Sequence, residues 1–244
     1  MNGSEITVDV LVIGAGAAGC SAVKHLPRSL RVLWVERQTS TRKKACSGIV
    51  AHQGIELLAP LNPPPAIFCD PPVIDLVYIS SSGVRQVTKG FWNTERARLD
   101  GWLQELALEH PRLDYRPGTR VTELRQDDTG VCVDLRTDGV AWRAAAGVVL
   151  GCDGATSSVR RSLGIAAAPT YAAFQQLHQN HRDTFDAAFL HGYDYDDWYT
   201  WMVTKQPSTE IGFMFATRHA AGLRARRAAA VSLGAAASIA PRRP

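Results

Sequence analysis

The segment Gly14-Ala15-Gly16-Ala17-Ala18-Gly19 sits directly after an apolar run, residues 9–13, and opens a stretch of small residues, 17–26, that stops at Pro27. A strand, a glycine turn and a helix in that order leave few options. Gly14 permits a sharp turn, Gly16 lets the backbone approach a bound group, and Gly19 lets helix and strand pack closely. Unsatisfied N–H groups at the start of the helix attract an anion. Residues 31–36 read as a second buried strand, which completes a βαβ unit and ends on Glu36. A carboxylate at that distance accepts hydrogen bonds from a ribose diol. The pattern predicts an α/β fold whose first part is a Rossmann-type domain with a parallel sheet, holding a dinucleotide diphosphate on residues 14–19.

Further along, residues 51–58 read as a short helix. Residues 60–72 carry six prolines in thirteen positions and are expected to have little regular structure. Residues 73–79 and 84–89 flank a Ser/Gly turn and predict a hairpin. Residues 96–110 form an amphipathic helix with Leu99, Leu103 and Leu106 on one face. Strands are expected at 121–124, 131–135, 142–146 and 148–150, a helical turn at 159–163, and a last pair of strands at 199–203 and 210–215. The domain organisation that follows is a discontinuous nucleotide-binding part (1–70 and 94–165), a partial antiparallel-sheet substrate domain (71–93 and 166–217) and an Arg/Ala-rich tail (218–244).

Charge and cysteine usage exclude several classes. The formal net charge is +4, but six arginines and no acid lie in residues 218–244; subtracting them leaves −2 for residues 1–217. A mildly acidic body gives no support to a nucleic-acid role. The five cysteines share no C-x-x-C spacing, which argues against a disulfide framework or zinc site and for a reducing, cytoplasmic setting. The N-terminus lacks the positive start of a signal peptide, and residues 8–23 are too short to span a bilayer. A soluble protein is expected, with peripheral membrane contact left open. His178, His181 and His191 lie near Asp183, Asp186, Asp194, Asp196 and Asp197; with no metal-ligand spacing among them, the stretch reads as a solvated acidic loop and no metal is assigned.

Two further segments carry a family resemblance. Gly151-Cys152-Asp153-Gly154-Ala155-Thr156-Ser157-Ser158-Val159-Arg160 resembles the DG motif of group A flavoprotein monooxygenases and their relatives, and Arg96, Leu99, Asp100 and Leu103 match their R-x-x-(F/L)-D-x-x-L helix. The resemblance spans roughly residues 6–215 and implies that the dinucleotide is FAD. By it, the cofactor-binding set is Gly14, Ala15, Gly16, Ala17, Ala18, Gly19, Glu36, Arg37, Cys46, Gly48, Arg96, Val121, Asp153, Gly154 and Arg160. An arginine fork such as that of Arg96 suits a pyrophosphate bidentately.

Within that superfamily the chain looks most like the geranylgeranyl reductase family. Lys44-Ala45-Cys46-Ser47-Gly48 is similar to the family's K-x-C-x-G loop, which marks Cys46 as the catalytic candidate. Tyr199-Thr200-Trp201-Met202-Val203-Thr204, with Gly212 downstream, is similar to its Y-x-W-x-F-P-x(7–8)-G-x-G lipid-binding motif. Tyr199, Trp201 and Gly212 match; Val203, Thr204 and Met214 depart. The resemblance implies that reduced FAD, fed by NAD(P)H, delivers hydride to a double bond of a prenyl lipid while Cys46 supplies the proton. An aromatic monooxygenase or flavin halogenase on the same fold stays open. So does a non-catalytic nucleotide-binding remnant or partner subunit, because the superfamily's third FAD motif, a GD-A segment, is not found and the composition changes abruptly after Phe215. A frameshifted or truncated end is the expectation there. Substrate identity and oligomeric state are not readable.

Overall fold

The computed structural model describes residues 5–40, 44–80, 82–179, 186–191 and 198–217. In chain order the elements are β1 (Glu5–Ile13), α1 (Ala17–His25), β2 (Val32–Glu36), β3 (Ile49–Val50), α2 (His52–Leu58), β4 (Phe68–Ser80), β5 (Gly83–Thr94), α3 (Arg96–Leu108), β6 (Leu113–Pro117), β7 (Thr119–Asp127), β8 (Gly130–Thr137), β9 (Val140–Gly151), α4 (Ser158–Ser162), β10 (Tyr171–His178), β11 (Ala187–His191), β12 (Trp198–Lys205) and β13 (Ser208–Ala216). They fall into two compact units, Met1–Arg42 with Asp100–Ala168, and Lys43–Leu99 with Pro169–Pro244. The sequence suggested breaks at 70/71, 93/94 and 165/166. Residues 44–70 and 94–99 belong with the second unit because β3 and the start of β4 hydrogen-bond to β5 there.

The first unit is built on a six-stranded sheet in the order β6-β2-β1-β9-β8-β7. β6, β2, β1 and β9 run parallel, while β8 and β7 run antiparallel to the strand before them. The two strands expected at 142–146 and 148–150 are one continuous β9. Residues 140–146 pair with β8 on one side and residues 143–151 with β1 on the other, the two ladders overlapping at 143–146, so no turn is needed between them. Strand β6 was not expected, since Leu113-Asp114-Tyr115-Arg116-Pro117 is half polar; it holds an edge, where one side faces solvent. Alternation along β1 and β2 sorts the core into two layers. Leu11, Ile13, Leu33 and Val35 pack with Val133, Leu135, Ala144 and Val159. Val10, Val12, Val32 and Trp34 pack under α1 (Cys20, Val23) and α3 (Leu103, Ala107). The buried residues of α3 include Leu99, Trp102 and Ala107, which lie on the same side of the helix as the leucine stripe read off the sequence, Trp102 and Ala107 flanking Leu103 and Leu106.

The second unit carries a seven-stranded sheet in the order β10-β13-β12-β11-β4-β5-β3. It is antiparallel as expected, except that β11 and β4 pair in parallel. Strand β4 starts inside the proline-rich stretch expected to be irregular, with its ladder to β5 interrupted between Phe68 and Val73. Strands β10 and β11 were also unforeseen. The Arg/Ala-rich tail, the expected acidic loop at His181, Asp183, Asp194, Asp196 and Asp197, and Thr41–Lys43 lie outside the described residues. Among the described residues, no helix is long and apolar enough to cross a membrane.

Candidate functional site

The predicted site residues separate into two sets, one in each unit. In the first unit, three segments meet at the carboxyl ends of adjacent strands. Ile13 of β1 stands beside Val35 of β2 on one side and Gly151 of β9 on the other. The chain ends are tied there: the Gly14 N–H donates to the Val35 carbonyl at 2.8 Å, and the Cys152 N–H to the Ile13 carbonyl at 2.8 Å. Gly14, Glu36 and Asp153 therefore share the carboxyl end of the sheet, the position at which open α/β sheets bind ligands.

The glycine turn is held from both sides. Gly14 takes a left-handed φ of +105°, and a Cβ there would strike the backbone of Cys152 and Asp153. A Cβ on Gly19 would overlap the Gly14 carbonyl oxygen. That same oxygen accepts a 3.0 Å hydrogen bond from the buried Trp34 indole. Gly16 differs: a Cβ there would meet nothing within 4 Å. It caps α1, and the first intrahelical bond runs from the Cys20 N–H to the Gly16 carbonyl at 3.0 Å. The amides of residues 17–19 thus have no partner within the helix. Gly16, Ala17 and Ala18 are exposed, no side chain caps the helix, and its first turn carries no acid. A bare helix N-terminus beside open space fits a diphosphate.

Glu36 turns towards this loop. Its carboxylate accepts the Ala15 N–H at 2.7 Å and the Gln38 N–H at 3.0 Å. Those bonds fix its direction and leave each oxygen capacity for a ribose hydroxyl. Arg37, next to it, is exposed. Across the sheet edge, one Asp153 oxygen accepts the Ser158 N–H at 2.6 Å and the Ser158 hydroxyl at 2.7 Å, while the other is buried with no partner. Burial pushes the Asp153 carboxyl up, but hydrogen bonds from Ser157, Ser158 and Val159 outweigh it and hold the group below its ordinary value. The Arg160 Nε is likewise buried without a partner, although its Nη2 donates to the Ala155 carbonyl at 3.0 Å. A Cβ on Gly154 would meet open space. Two unsatisfied buried polar atoms beside a glycine with room above it suit an external hydrogen-bonding ligand. Val121, the remaining residue of this set, packs half-buried against the sheet's core on β7.

In the second unit, Cys46, Arg96 and Tyr199 come together. The Cys46 sulfur accepts an N–H from Arg96 at 3.4 Å, and the Cys46 backbone N–H donates to the Gln175 side chain. Burial pushes the Tyr199 phenol above its ordinary value, and nearby Cys46 and Tyr78 push it further. Tyr199 belongs to a row of rings on one face of the sheet: Tyr78 to Phe189 is 5.7 Å between centroids, Phe189 to Tyr199 5.6 Å, and Tyr199 to Trp201 6.0 Å. Trp201 and Gly212 are locked to one another. The indole is 3% exposed and lies where a Gly212 Cβ would be.

Sequence reasoning missed the polar cluster at the end of this row. The Trp201 Nε1 donates to the buried Glu210 at 2.9 Å. Lys205 donates to the Thr94 carbonyl at 2.7 Å and to Asn93 Oδ1 at 3.1 Å. A Cβ on Gly48 would overlap the Thr94 carbonyl oxygen. The one available signal was Glu210 on an otherwise apolar strand. Burial pushes the Glu210 carboxyl up; Lys205 and the Trp201 indole oppose this, and Glu95 adds to it. Below the ordinary value of 4.5 the group is protonated whether folded or unfolded. Above it, the folded state retains a proton that the unfolded chain has released, so stability falls as pH rises until the raised value is passed. Glu210→Gln keeps an oxygen for the indole and removes that dependence. Urea midpoints from acid to neutral pH are expected to decline less for the variant than for the native chain; parallel curves would show that Glu210 titrates normally.

Comparison with known proteins bears on both sets. The FAD binding domain family matches residues 84–224, more than half of the chain, including Arg96, Asp153, Arg160 and Tyr199. The chain is 44% identical over 68 residues to the FAD-dependent monooxygenase apdD of Emericella nidulans, 27% of this chain and 11% of that protein. It is 26% identical to protein CbrA of Escherichia coli over 211 residues, 81% of this chain and 56% of CbrA. The chain thus spans a little over half of CbrA and a small part of apdD. In fold it is similar to a geranylgeranyl bacteriochlorophyll reductase-like protein from Thermoplasma acidophilum, with TM-score 0.76, 20% identity and coverage of 88% of this chain and 58% of that one. The monooxygenase PieE, solved with FAD and substrate, aligns with TM-score 0.64 at 20% identity over 86% of this chain and 43% of PieE. The myxobacterial chondrochloren halogenase CndH aligns with TM-score 0.68 at 17% identity over 89% and 55%. With a glycine turn, a carboxylate bonded to it and an Asp-Gly segment at the carboxyl ends of adjacent strands, and a family match over more than half its length, the chain belongs to the FAD binding domain family.

Proposed function

We propose that this chain is the flavin-binding portion, with part of the substrate-binding portion, of an FAD-dependent oxidoreductase that reduces carbon–carbon double bonds of an isoprenoid chain, with NAD(P)H as electron donor. The observation that carries this reading is the ring row Tyr78, Phe189, Tyr199 and Trp201 on one sheet face, with Cys46, which accepts an Arg96 N–H, near Tyr199. An unpolarised double bond offers no charge to grip, so an apolar surface must position it. FAD, once bound and reduced, supplies the hydride. This chain's own groups supply the proton: the Cys46 thiol, and the Tyr199 phenol, which burial keeps protonated. Arg96, by donating to Cys46, fixes where the sulfur sits. The fold it shares with the Thermoplasma acidophilum reductase-like protein supports the same reading.

The test is anaerobic incubation of the FAD-loaded protein with reduced nicotinamide and a prenyl lipid. The expected product gains two hydrogens per bond reduced. A second reading, a monooxygenase acting on an aromatic substrate, is favoured by the stretch shared with apdD. It requires dioxygen, so turnover seen only in air, with an oxygen atom in the product, would replace the first reading.

A further inference from the structure

The loop that carries Cys46 has neither helix nor strand across residues 44–48, so its course is set by what grips it. Three groups do. The Gly48 carbonyl accepts the Thr94 N–H at 3.0 Å and the Thr94 hydroxyl. The Cys46 sulfur accepts from Arg96 at 3.4 Å. The Cys46 N–H donates to Oε1 of Gln175, which comes from β10, 129 residues further along the chain. The first grip lies two residues from the thiol, and the second is a contact to a weak acceptor. The bond to Gln175 is therefore the one that fixes the main chain at Cys46 itself.

Strand register shows the face from which Gln175 reaches. It lies opposite Gly212, and Gly212 lies opposite Trp201. Residues directly opposite one another in a ladder project to the same side of the sheet. Gln175 thus leaves β10 on the face that carries Trp201 and Tyr199, while Gln176, one residue on, leaves it on the other. Gly212 brings no side chain between them, and the Trp201 indole fills the place where its Cβ would be. Gln175 ties the Cys46 loop to the ring face.

We propose that Gln175 is a positioning residue: its side-chain oxygen holds the Cys46 main chain at the ring face, so that the thiol is presented to a double bond lying there. The assignment rests on the reading of Cys46 as a proton donor and adds the residue that sets where that donor stands. What the role requires is a hydrogen-bond acceptor of this reach.

The test uses the FAD-loaded full chain in three forms: native, Gln175→Met, which keeps side-chain length and loses the acceptor, and Gln175→Glu, which keeps an acceptor oxygen. Gln175 is exposed, so urea midpoints should agree among the three. Iodoacetamide labelling of Cys46, read by peptide mass spectrometry, reports how firmly the loop is held and needs no turnover. Gln175→Met is expected to label about two- to tenfold faster, the loop opening that one neutral hydrogen bond suppresses, while Gln175→Glu labels at the native rate. With farnesol and reduced nicotinamide in the absence of air, Gln175→Met should show kcat about tenfold lower with KM little changed, and Gln175→Glu should restore it, because a misplaced proton donor slows the chemical step without weakening binding. Native-rate labelling of Gln175→Met, or turnover by Gln175→Glu as slow as that of Gln175→Met, overturns the assignment. So does faster labelling of Gln175→Met with kcat unchanged. If the labelling pattern holds and none of the three forms reduces farnesol, the hold on the loop stands and the double-bond reading alone fails.

Discussion

Gly16→Val should remove FAD binding and leave the apoprotein folded. A Cβ at this position meets no protein atom within 4 Å, so the substitution fills only the space in front of the α1 amides. Its cost to the fold is that of a poorer helix cap, about 1 kcal/mol. Its cost to the ligand is larger, since a branched side chain keeps a diphosphate out of reach of the amides. Losing two charge-assisted bonds at ~1.5–3 kcal/mol each weakens FAD by about 100-fold or more. Gly19→Val is the contrasting variant. Its Cβ overlaps the Gly14 carbonyl oxygen, which the Trp34 indole already holds, so helix and strand must part. A loss of roughly 3 kcal/mol or more in stability is expected, with FAD binding lost as a consequence. Flavin retention and urea unfolding, measured on both variants, separate the two roles. If Gly16→Val retained the flavin, the diphosphate would have to sit elsewhere.

Gly212→Ala should be nearly as damaging as removing the tryptophan it faces. The added methyl overlaps the six-membered ring of Trp201. The indole must swing away, which breaks its 2.9 Å bond to Glu210 and leaves a buried carboxyl with one fewer donor. Overpacking at ~1–3 kcal/mol, with a further ~1–3 kcal/mol for the unsatisfied group, gives a total of about 3 kcal/mol or more. Trp201→Ala alone should cost about 3–5 kcal/mol through the cavity it opens. The double variant is the informative one. With the ring gone, the alanine at 212 meets open space, so the two losses should fall well short of adding. Strict additivity would mean that the indole and Gly212 are independent. Tryptophan fluorescence gives a second readout, because an indole moved from a site 3% exposed towards water shifts its emission to longer wavelength.

This pair changes the meaning of the motif that suggested a lipid site. Tyr199, Trp201 and Gly212 were singled out together by their resemblance to the lipid-binding motif of the geranylgeranyl reductase family. The structure gives Trp201 and Gly212 a packing relationship, with Glu210 holding the ring, while Tyr199 is the member that stays half-buried next to Cys46. Their spacing carries that packing relationship whether or not a lipid binds, and the variants above separate fold from ligand.

How much was legible in advance depended on the range of the forces involved. The strand–turn–helix at residues 5–25 is local: apolar run, glycines and helix formers act within a few residues of each other, so the sequence determined that fold unaided. The same holds for the β4–β5 hairpin and for α3, whose periodicity is written into adjacent turns. Long-range pairing was not legible. β6 and β10 are edge strands with no fully buried residue, so neither face demands apolar side chains and their mixed sequences carry no clear alternation. The parallel pairing of β11 with β4, and the continuity of β9 through two different neighbours, are set by which strands arrive beside them. The Lys205–Asn93–Thr94 cluster and the Glu210–Trp201 bond exist because distant strands bring polar groups into one desolvated place. Only the tertiary structure could decide these, since an unsatisfied buried polar group is costly and its partner is chosen by proximity in space, which the order of residues does not record.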